Sequence, residues 1–189
     1  MKKNAFYTIL ACLLFLACQN NSQEEKKVIK SREALKKNIT EFEDSVAQVQ
    51  TDSKSPNAMS NISNIELINL LTAYYRAFPK DEYAADCLFK IHMIFSQLEA
   101  QEKAIAYGDT LLQSFPNYKN KAMLLESMGS TYDVLIQPRD TSKIRYYYSL
   151  LLKEKKLTKE TREGIENRLK HIELDFFSYI NLNSKEVSR

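Results

Sequence analysis

The sequence predicts an all-α protein, and three observations support that prediction. Only three glycines and four prolines interrupt 189 residues, which favours long helices over frequent turns. Apolar residues recur at spacings of three and four along most of the chain, as they do on one face of a helix. No stretch shows the sustained apolar–polar alternation that is typical of a strand. The chain is long enough for one such domain with its own core.

Charge and cysteine usage exclude several classes of function. The formal net charge is +3, and it falls to +1 without Lys2 and Lys3. Because no basic stripe is interleaved with aromatic residues, we expect no nucleic-acid partner. The three cysteines, Cys12, Cys18 and Cys87, form neither a disulfide framework nor a metal-ligand spacing. We therefore expect no metal and no cofactor.

Residues 1–17 have the organisation of a secretory leader. Lys2 and Lys3 form a basic start, and the stretch from Ala5 to Ala17 is apolar. This apolar stretch is shorter than the ~20 residues that cross a bilayer, but it fits a signal sequence. It ends in Phe15-Leu16-Ala17-Cys18, and polar sequence follows at once. The arrangement resembles the lipobox of bacterial lipoproteins, which implies that Cys18 is acylated and becomes the mature N-terminus.

Two alternatives to this interpretation remain open. Cys12 could be the modified residue, although it has a shorter apolar stretch before it and apolar sequence after it. An ordinary cleaved signal, or an uncleaved anchor with incidental cysteines, would also fit residues 1–17. Acylation at Cys18 would anchor the protein stably, because each buried methylene of an acyl chain contributes ~0.8 kcal/mol.

The segment after the cysteine bears on location. Residues 18–30 are polar and charged, which predicts a flexible tether. In lipoproteins with this motif, an Asp directly after the cysteine implies retention in the inner membrane, and this chain has Gln19 at that place. The resemblance thus implies the outer membrane, and we expect its periplasmic face rather than the cell surface. Glu24-Glu25 resembles the export signal of surface lipoproteins, but a solvated linker explains it equally well.

Residues 31–61 predict a helix followed by a loop. The helix has a narrow apolar stripe like a coiled-coil seam, formed by Leu35, Ile39, Phe42, Val46 and Val49. Two heptads are too few for a coiled coil alone, so we expect this helix to pack on the domain or on a partner. A polar loop is predicted over residues 51–61, which include Pro56.

Residues 62–180 predict a helical domain, with residues 181–189 as a tail. Helices are expected over 62–78, 83–98, 101–114, 119–136 and 141–153. A capping helix is expected to start after Thr158 and to continue past Tyr179. The inward face predicted for the first of these helices comprises Ile65, Ile68, Leu71, Tyr75 and Phe78, widened by Leu67 and Tyr74. For the capping helix it comprises Ile165, Leu169, Ile172, Phe176 and Tyr179.

An interval of 37 residues recurs within this domain. The pair Phe78-Pro79 returns as Phe115-Pro116. The apolar set Leu88, Ile91 and Phe95 returns at the same interval as Leu125, Met128 and Tyr132. Since one interval holds for two independent sets of positions, we predict an internal repeat.

The repeat resembles the tetratricopeptide repeat over residues 62–155. In the first unit the matching places are Leu88, Ile91, Phe95, Ala104, Leu111 and Pro116. His92 and Gly108 depart from the pattern, since the family has a small residue and an aromatic residue there. In the second unit Gly129 matches, and the second helix matches after an insertion of three residues near Pro138, which places Ile144, Tyr148 and Leu151 inward. The resemblance implies a short α-solenoid of helical hairpins with flanking helices.

The resemblance also implies a function. The Phe-Pro segments are similar to the stretched repeats of periplasmic lipoproteins of the BamD type and the TolA-binding-coordinator type. We therefore expect a protein-interaction scaffold at the outer membrane, with outer-membrane assembly as a process it could serve. The alternative is a surface-exposed lipoprotein that captures a glycan or another ligand for a transporter. The helical-repeat glycan lipoproteins are far longer than this chain, which counts against the alternative.

No pattern predicts catalysis. The two histidines, His92 and His171, are far apart in sequence, and His92 lies on a face predicted to be packed. Cys87 is expected to be a small core thiol. No carboxylate spacing distinguishes an acid/base pair from a solvated helix face. We expect no enzyme.

The tetratricopeptide resemblance implies a partner-binding groove lined by the first helix of each hairpin. The places concerned are Asp86, Phe89, Met93, Gln97, Met123, Glu126, Ser130 and Asp133. Three of them are apolar yet lie off the core stripe, as a groove for a partner helix or peptide requires. The charges of Glu126 and Asp133 favour an apolar or basic segment over an acidic tail. A terminal helix could instead cover this patch as ordinary core.

Overall fold

The structure is a computed structural model that describes residues 26–48 and 61–187, with side chains to residue 182. Within these ranges every regular element is helical and no strand occurs, which confirms the all-α prediction. The proposed leader, Cys18 and the predicted loop around Pro56 lie outside the described residues. Contacts divide the described residues into two units, one up to Pro79 and one from Lys80 onward.

The described residues of the first unit form two helices, α1 (26–48) and α2 (Asn61–Ala77). Helix α1 covers residues 26–30, which were predicted as tether. Its predicted stripe is its covered face, since Ile39 is fully buried and Leu35, Phe42 and Val46 are partly buried. The ammonium group of Lys36 in α1 lies 5.8 Å from the ring centroid of Tyr74 in α2.

The inward face predicted for α2 is partly wrong. Its buried residues are Asn64, Leu67, Leu71 and Tyr74, whereas the predicted Ile65 is 56% exposed. The buried stripe is therefore displaced by one residue from the predicted one. Two apolar stripes lie side by side on this helix, and periodicity does not choose between them because both recur at helical spacing.

The second unit contains six α-helices: α3 (Glu82–Gln97), α4 (Gln101–Ser114), α5 (Lys121–Ser130), α6 (Thr141–Leu151), α7 (Lys159–Lys170) and α8 (Phe176–Val187). A π-helical turn, Thr131–Leu135, extends α5, and its last bond is donated by Ile136 N–H to Thr131 O. Helix α3 packs against α4, and α5 packs against α6, as two helical hairpins.

Side-chain caps determine where three of these helices begin. Asp81 Oδ1 accepts the Tyr83 N–H at 2.9 Å at the start of α3. Asp140 Oδ1 accepts the N–H groups of Ser142 and Lys143, both at 3.0 Å, at the start of α6. Thr158 Oγ1 accepts the Thr161 N–H at 3.1 Å, as predicted for the start of α7.

The single capping helix predicted after Thr158 is wrong, because the chain turns between α7 and α8. Arg168 donates to the carbonyl oxygens of His171 (2.7 Å) and Leu174 (2.8 Å), and so stabilises a non-helical turn. Asp175 then caps α8 by accepting the Ser178 N–H at 3.0 Å. Helix α8 continues to Val187, through most of the segment predicted as a tail.

Candidate protein-binding site of the helical hairpins

The two hairpins repeat one aromatic contact. In the first, the rings of Phe95 and Tyr107 stack with centroids 5.6 Å apart and an interplanar angle of 22°. In the second, Tyr132 and Tyr147 stack at 5.6 Å and 13°. Phe95 and Tyr132, from the first helix of each hairpin, are 37 residues apart in sequence. Tyr107 and Tyr147, from the second helix of each, are 40 residues apart. This difference equals the three-residue insertion that the sequence predicted between the helices of the second hairpin.

Buried positions repeat at the same intervals. On the first helices, Leu88 and Ile91 are fully buried, as are Leu125 and Met128. On the second helices, Ala104 and Leu111 of α4 are fully buried, and so are their equivalents in α6, Ile144 and Leu151. All eight of these residues therefore belong to the cores of the two hairpins.

His92 and Gly108, the two residues that depart from the predicted repeat pattern, lie against each other. A Cβ added at Gly108 in α4 would lie 3.3 Å from His92 Nδ1 in α3, so a large side chain faces a small one. In the second hairpin the sizes are exchanged, because a Cβ at Gly129 in α5 would lie 2.6 Å from Tyr148 Cδ1 in α6. The closest neighbour of Gly108 is Met128 in α5, whose Sδ would lie 2.7 Å from the added Cβ, whereas Gly129 faces the partner helix of its own hairpin.

His92 has a structural role in the hairpin. Its ring is fully buried, with Nδ1 2.8 Å from Ala104 O and Nε2 2.9 Å from Ser127 Oγ. Because a carbonyl oxygen only accepts, Nδ1 carries the proton and Nε2 accepts from the Ser127 hydroxyl. Burial lowers the pKa of His92, which favours this neutral form. The imidazole therefore ties α3 to both α4 and α5, and both of its nitrogens are used.

The predicted groove residues on α3 are only partly accessible. Asp86 accepts hydrogen bonds from Tyr118 Oη at 2.9 Å and from Lys119 Nζ at 3.0 Å. Phe89 is half-buried, and its ring centroid lies 5.6 Å from that of Tyr118. Met93 is also half-buried, whereas Gln97 is exposed. The charge of Asp86 is thus compensated within the protein, and Phe89 contributes part of its surface to internal packing.

The predicted groove residues that follow α4 fall into two groups. Met123 and Glu126 are exposed on α5, and the Met123 side chain is 55% exposed. Ser130 is half-buried, with its hydroxyl 3.3 Å from Tyr148 Oη. Met123 and Glu126 are accordingly the α5 members most open to a partner.

The assignment of Asp133 to the groove is wrong, because this carboxylate is sealed inside the protein. Asp133 is 1% exposed, and Arg168 holds it through two bonds, Nε to Oδ2 at 2.6 Å and Nη2 to Oδ1 at 2.7 Å. Arg139 adds a third bond to Oδ1 at 2.7 Å. The groove therefore loses one of the two charges that predicted a basic partner.

Sequence reasoning missed both arginines of this cluster. The face predicted for the capping helix includes Leu169, and the buried residue of α7 is its neighbour Arg168, so helical spacing brought the prediction within one residue of it. The guanidinium of Arg168 also lies over the ring of Tyr179, 4.9 Å from the ring centroid. No comparable signal in the sequence identifies Arg139.

Other kinds of site find no support in the described part of the chain. It contains no group of three or more His, Cys, Asp or Glu residues placed to hold a metal ion. Cys87 is fully buried. No helix of residues 26–48 or 61–187 is long and apolar enough to cross a bilayer. Comparison of the chain with protein-family models, curated proteins and solved structures gave no match.

Proposed function

We propose that this protein is a lipid-anchored scaffold of the outer membrane, which binds another envelope protein through the first helices of its tetratricopeptide-like hairpins. The observation that carries the proposal is the repeated hairpin packing, in which equivalent rings stack with the same centroid separation of 5.6 Å. Repeats of this kind stack into extended surfaces that bind proteins or peptides. The leader and Cys18 support the anchor, and we place the domain on the periplasmic side.

The chemistry of the described residues supports a scaffold rather than an enzyme. Both nitrogens of His92 are used in the core, and Asp133 is held by two arginines. Cys87 is buried, whereas a reactive thiolate needs partial exposure to solvent. None of these groups is placed to act on a substrate.

The partner segment should be apolar. Lys119 compensates the charge of Asp86, and Arg168 and Arg139 compensate that of Asp133. Glu126 remains exposed, whereas Met123 offers apolar surface one turn before it. An amphipathic helix that places its apolar side chains over Met123 would fit this surface.

Anchoring is tested at the cysteine. We expect Cys18→Ala to lose a metabolically incorporated fatty-acid label and to leave the membrane fraction, because the acyl chains supply the anchor. Cys12→Ala is the matched control, and it should keep both the label and the membrane location. A Cys18→Ala protein that stays labelled and membrane-bound would show that the anchor is elsewhere.

The groove is tested by substituting two apolar residues whose side chains are equally exposed. Met123 on α5 and Leu135 in the π-helical turn are both 55% exposed. A photo-crosslinking side chain at position 123 would first identify the partner. We then expect Met123→Ala to weaken binding of the purified partner by about tenfold, which is ~1.4 kcal/mol for a lost apolar contact, and Leu135→Ala to leave it unchanged.

A second variant checks how much of the groove is core. Phe89→Ala with Met93→Ala should also weaken capture, but the melting temperature decides its meaning because Phe89 packs on Tyr118. A loss of stability near ~3 kcal/mol would assign these residues to the core instead. If Met123→Ala and Leu135→Ala weakened binding of the partner equally, the proposed groove would be contradicted.

Protease shaving of intact cells distinguishes the two proposed locations. A periplasmic scaffold is protected from the protease, whereas the surface-exposed alternative is cleaved.

A further inference from the structure

The N-terminal part of α1 concentrates positive charge. Residues 18–37 contain six basic and three acidic residues, a net charge of +3, whereas residues 38–189 contain 19 basic and 21 acidic residues, a net charge of −2. Residues 26–30 are all exposed, and they include Lys26, Lys27 and Lys30. The end of the chain nearest Cys18 therefore differs in sign from the remainder.

Apolar surface lies among these lysines. Val28 is 49% exposed and Ile29 is 46% exposed, within the same two turns. We call residues 26–30 the basic–apolar patch.

The patch lies close to the proposed anchor. Eight residue steps separate Cys18 from Lys26, so their Cα atoms are at most roughly 29 Å apart in any conformation. Glu24 and Glu25 fall within this interval and are part of the +3 total. If Cys18 carries acyl chains in a bilayer, the basic–apolar patch is held beside the lipid headgroups.

We propose that the basic–apolar patch binds the surface of an anionic phospholipid bilayer, and thereby holds the N-terminal part of α1 against its membrane. The three ammonium groups pair with headgroup phosphates, and Val28 and Ile29 enter the interface between headgroups and acyl chains. This inference rests on the anchoring of the proposed function, because the tether brings the patch to the lipid.

The test uses the chain from residue 18 onward with Cys18→Ser, so that no acyl chain contributes. Its partition is measured by sedimentation with phosphatidylcholine vesicles and with vesicles in which about a third of that lipid is replaced by phosphatidylglycerol, at about 0.1 M salt. We expect binding only to the anionic vesicles, with loss at about 1 M salt because the Debye length falls to about 3 Å. Each lysine near such a surface contributes about fivefold to partition.

Two triple variants that remove the same charge test whether binding depends on the basic–apolar patch. Lys26→Gln, Lys27→Gln and Lys30→Gln together should reduce partition on the order of 100-fold, with an unchanged melting temperature since all three side chains are exposed. Lys153→Gln, Lys155→Gln and Lys156→Gln remove the same charge from exposed positions after α6, and should reduce it by less than about threefold. Equal losses in the two variants, or equal binding to both vesicles, would overturn the proposal. A Cys18 that carries no fatty-acid label would instead contradict the anchoring.

Discussion

Asp133→Ala should lower the free energy of unfolding by about 3–5 kcal/mol, because it leaves the buried Arg168 without its counterion. Arg168 is 4% exposed and makes both of its carboxylate bonds to Asp133. Arg139 is less affected, since its side chain is 14% exposed and can turn towards water. Urea titration of the variant and the parent, with the slopes compared, measures the loss.

Two further variants distinguish the cost of leaving a buried charge unpaired from the cost of losing a single hydrogen-bonding contact. Asp175→Ala removes a carboxylate that caps α8 at the surface, and it should cost only about 1 kcal/mol. Asp133→Leu combined with Arg168→Met replaces the ion pair by apolar groups, and it should recover much of the stability lost in Asp133→Ala. If Asp133→Ala cost no more than Asp175→Ala, Arg168 would have to reach water or another acceptor.

Gly129→Ala should cost roughly 3 kcal/mol, because the second hairpin has no room for a methyl group. The added Cβ would be well inside van der Waals contact of Tyr148 Cε1 and 2.6 Å from Cδ1. Tyr148 is itself buried, so its ring moves aside only by displacing its neighbours in the core. Thermal or urea unfolding measures the loss, and a wild-type stability would show that α5 and α6 separate without cost.

Two other glycines calibrate this result. Gly164→Ala in α7 meets nothing within 4 Å, so it should stabilise the protein by about 0.5–1 kcal/mol through helix propensity. Gly108→Ala meets Met128 Sδ at 2.7 Å, the far end of a flexible side chain, and should fall between the other two. Gly129→Ala combined with Tyr148→Leu should cost less than the sum of the single changes, because the smaller side chain makes room for the methyl group.

Helix positions could be predicted from the sequence because they depend on local patterns. The cap at Thr158 follows from its own hydroxyl and the N–H of Thr161. The insertion of three residues followed from aligning Ala104 and Leu111 with Ile144 and Leu151, and the structure buries all four. These features involve neighbours in sequence, or one interval repeated along it.

The candidate site was less predictable, because exposure is decided by residues distant in sequence. The tetratricopeptide resemblance assigned Asp133 to a groove, but Arg168, 35 residues away in sequence, holds this carboxylate in the core. Phe89 was assigned to the groove in the same way, yet it packs against Tyr118 from the segment between α4 and α5. A helical pattern gives the angle of a side chain around its own axis, and it carries no information about which neighbour lies there.

By itself, the sequence determined an all-α chain, the order and bounds of most helices, and the recurrence of Leu88, Ile91 and Phe95. Only the tertiary structure decided which of two apolar stripes α2 buries, where the helix after Thr158 breaks, and which small residue faces which large one. The first group rests on backbone hydrogen bonds and caps within a few residues. The second group rests on packing between separate helices, where one buried arginine or one ring changes the outcome.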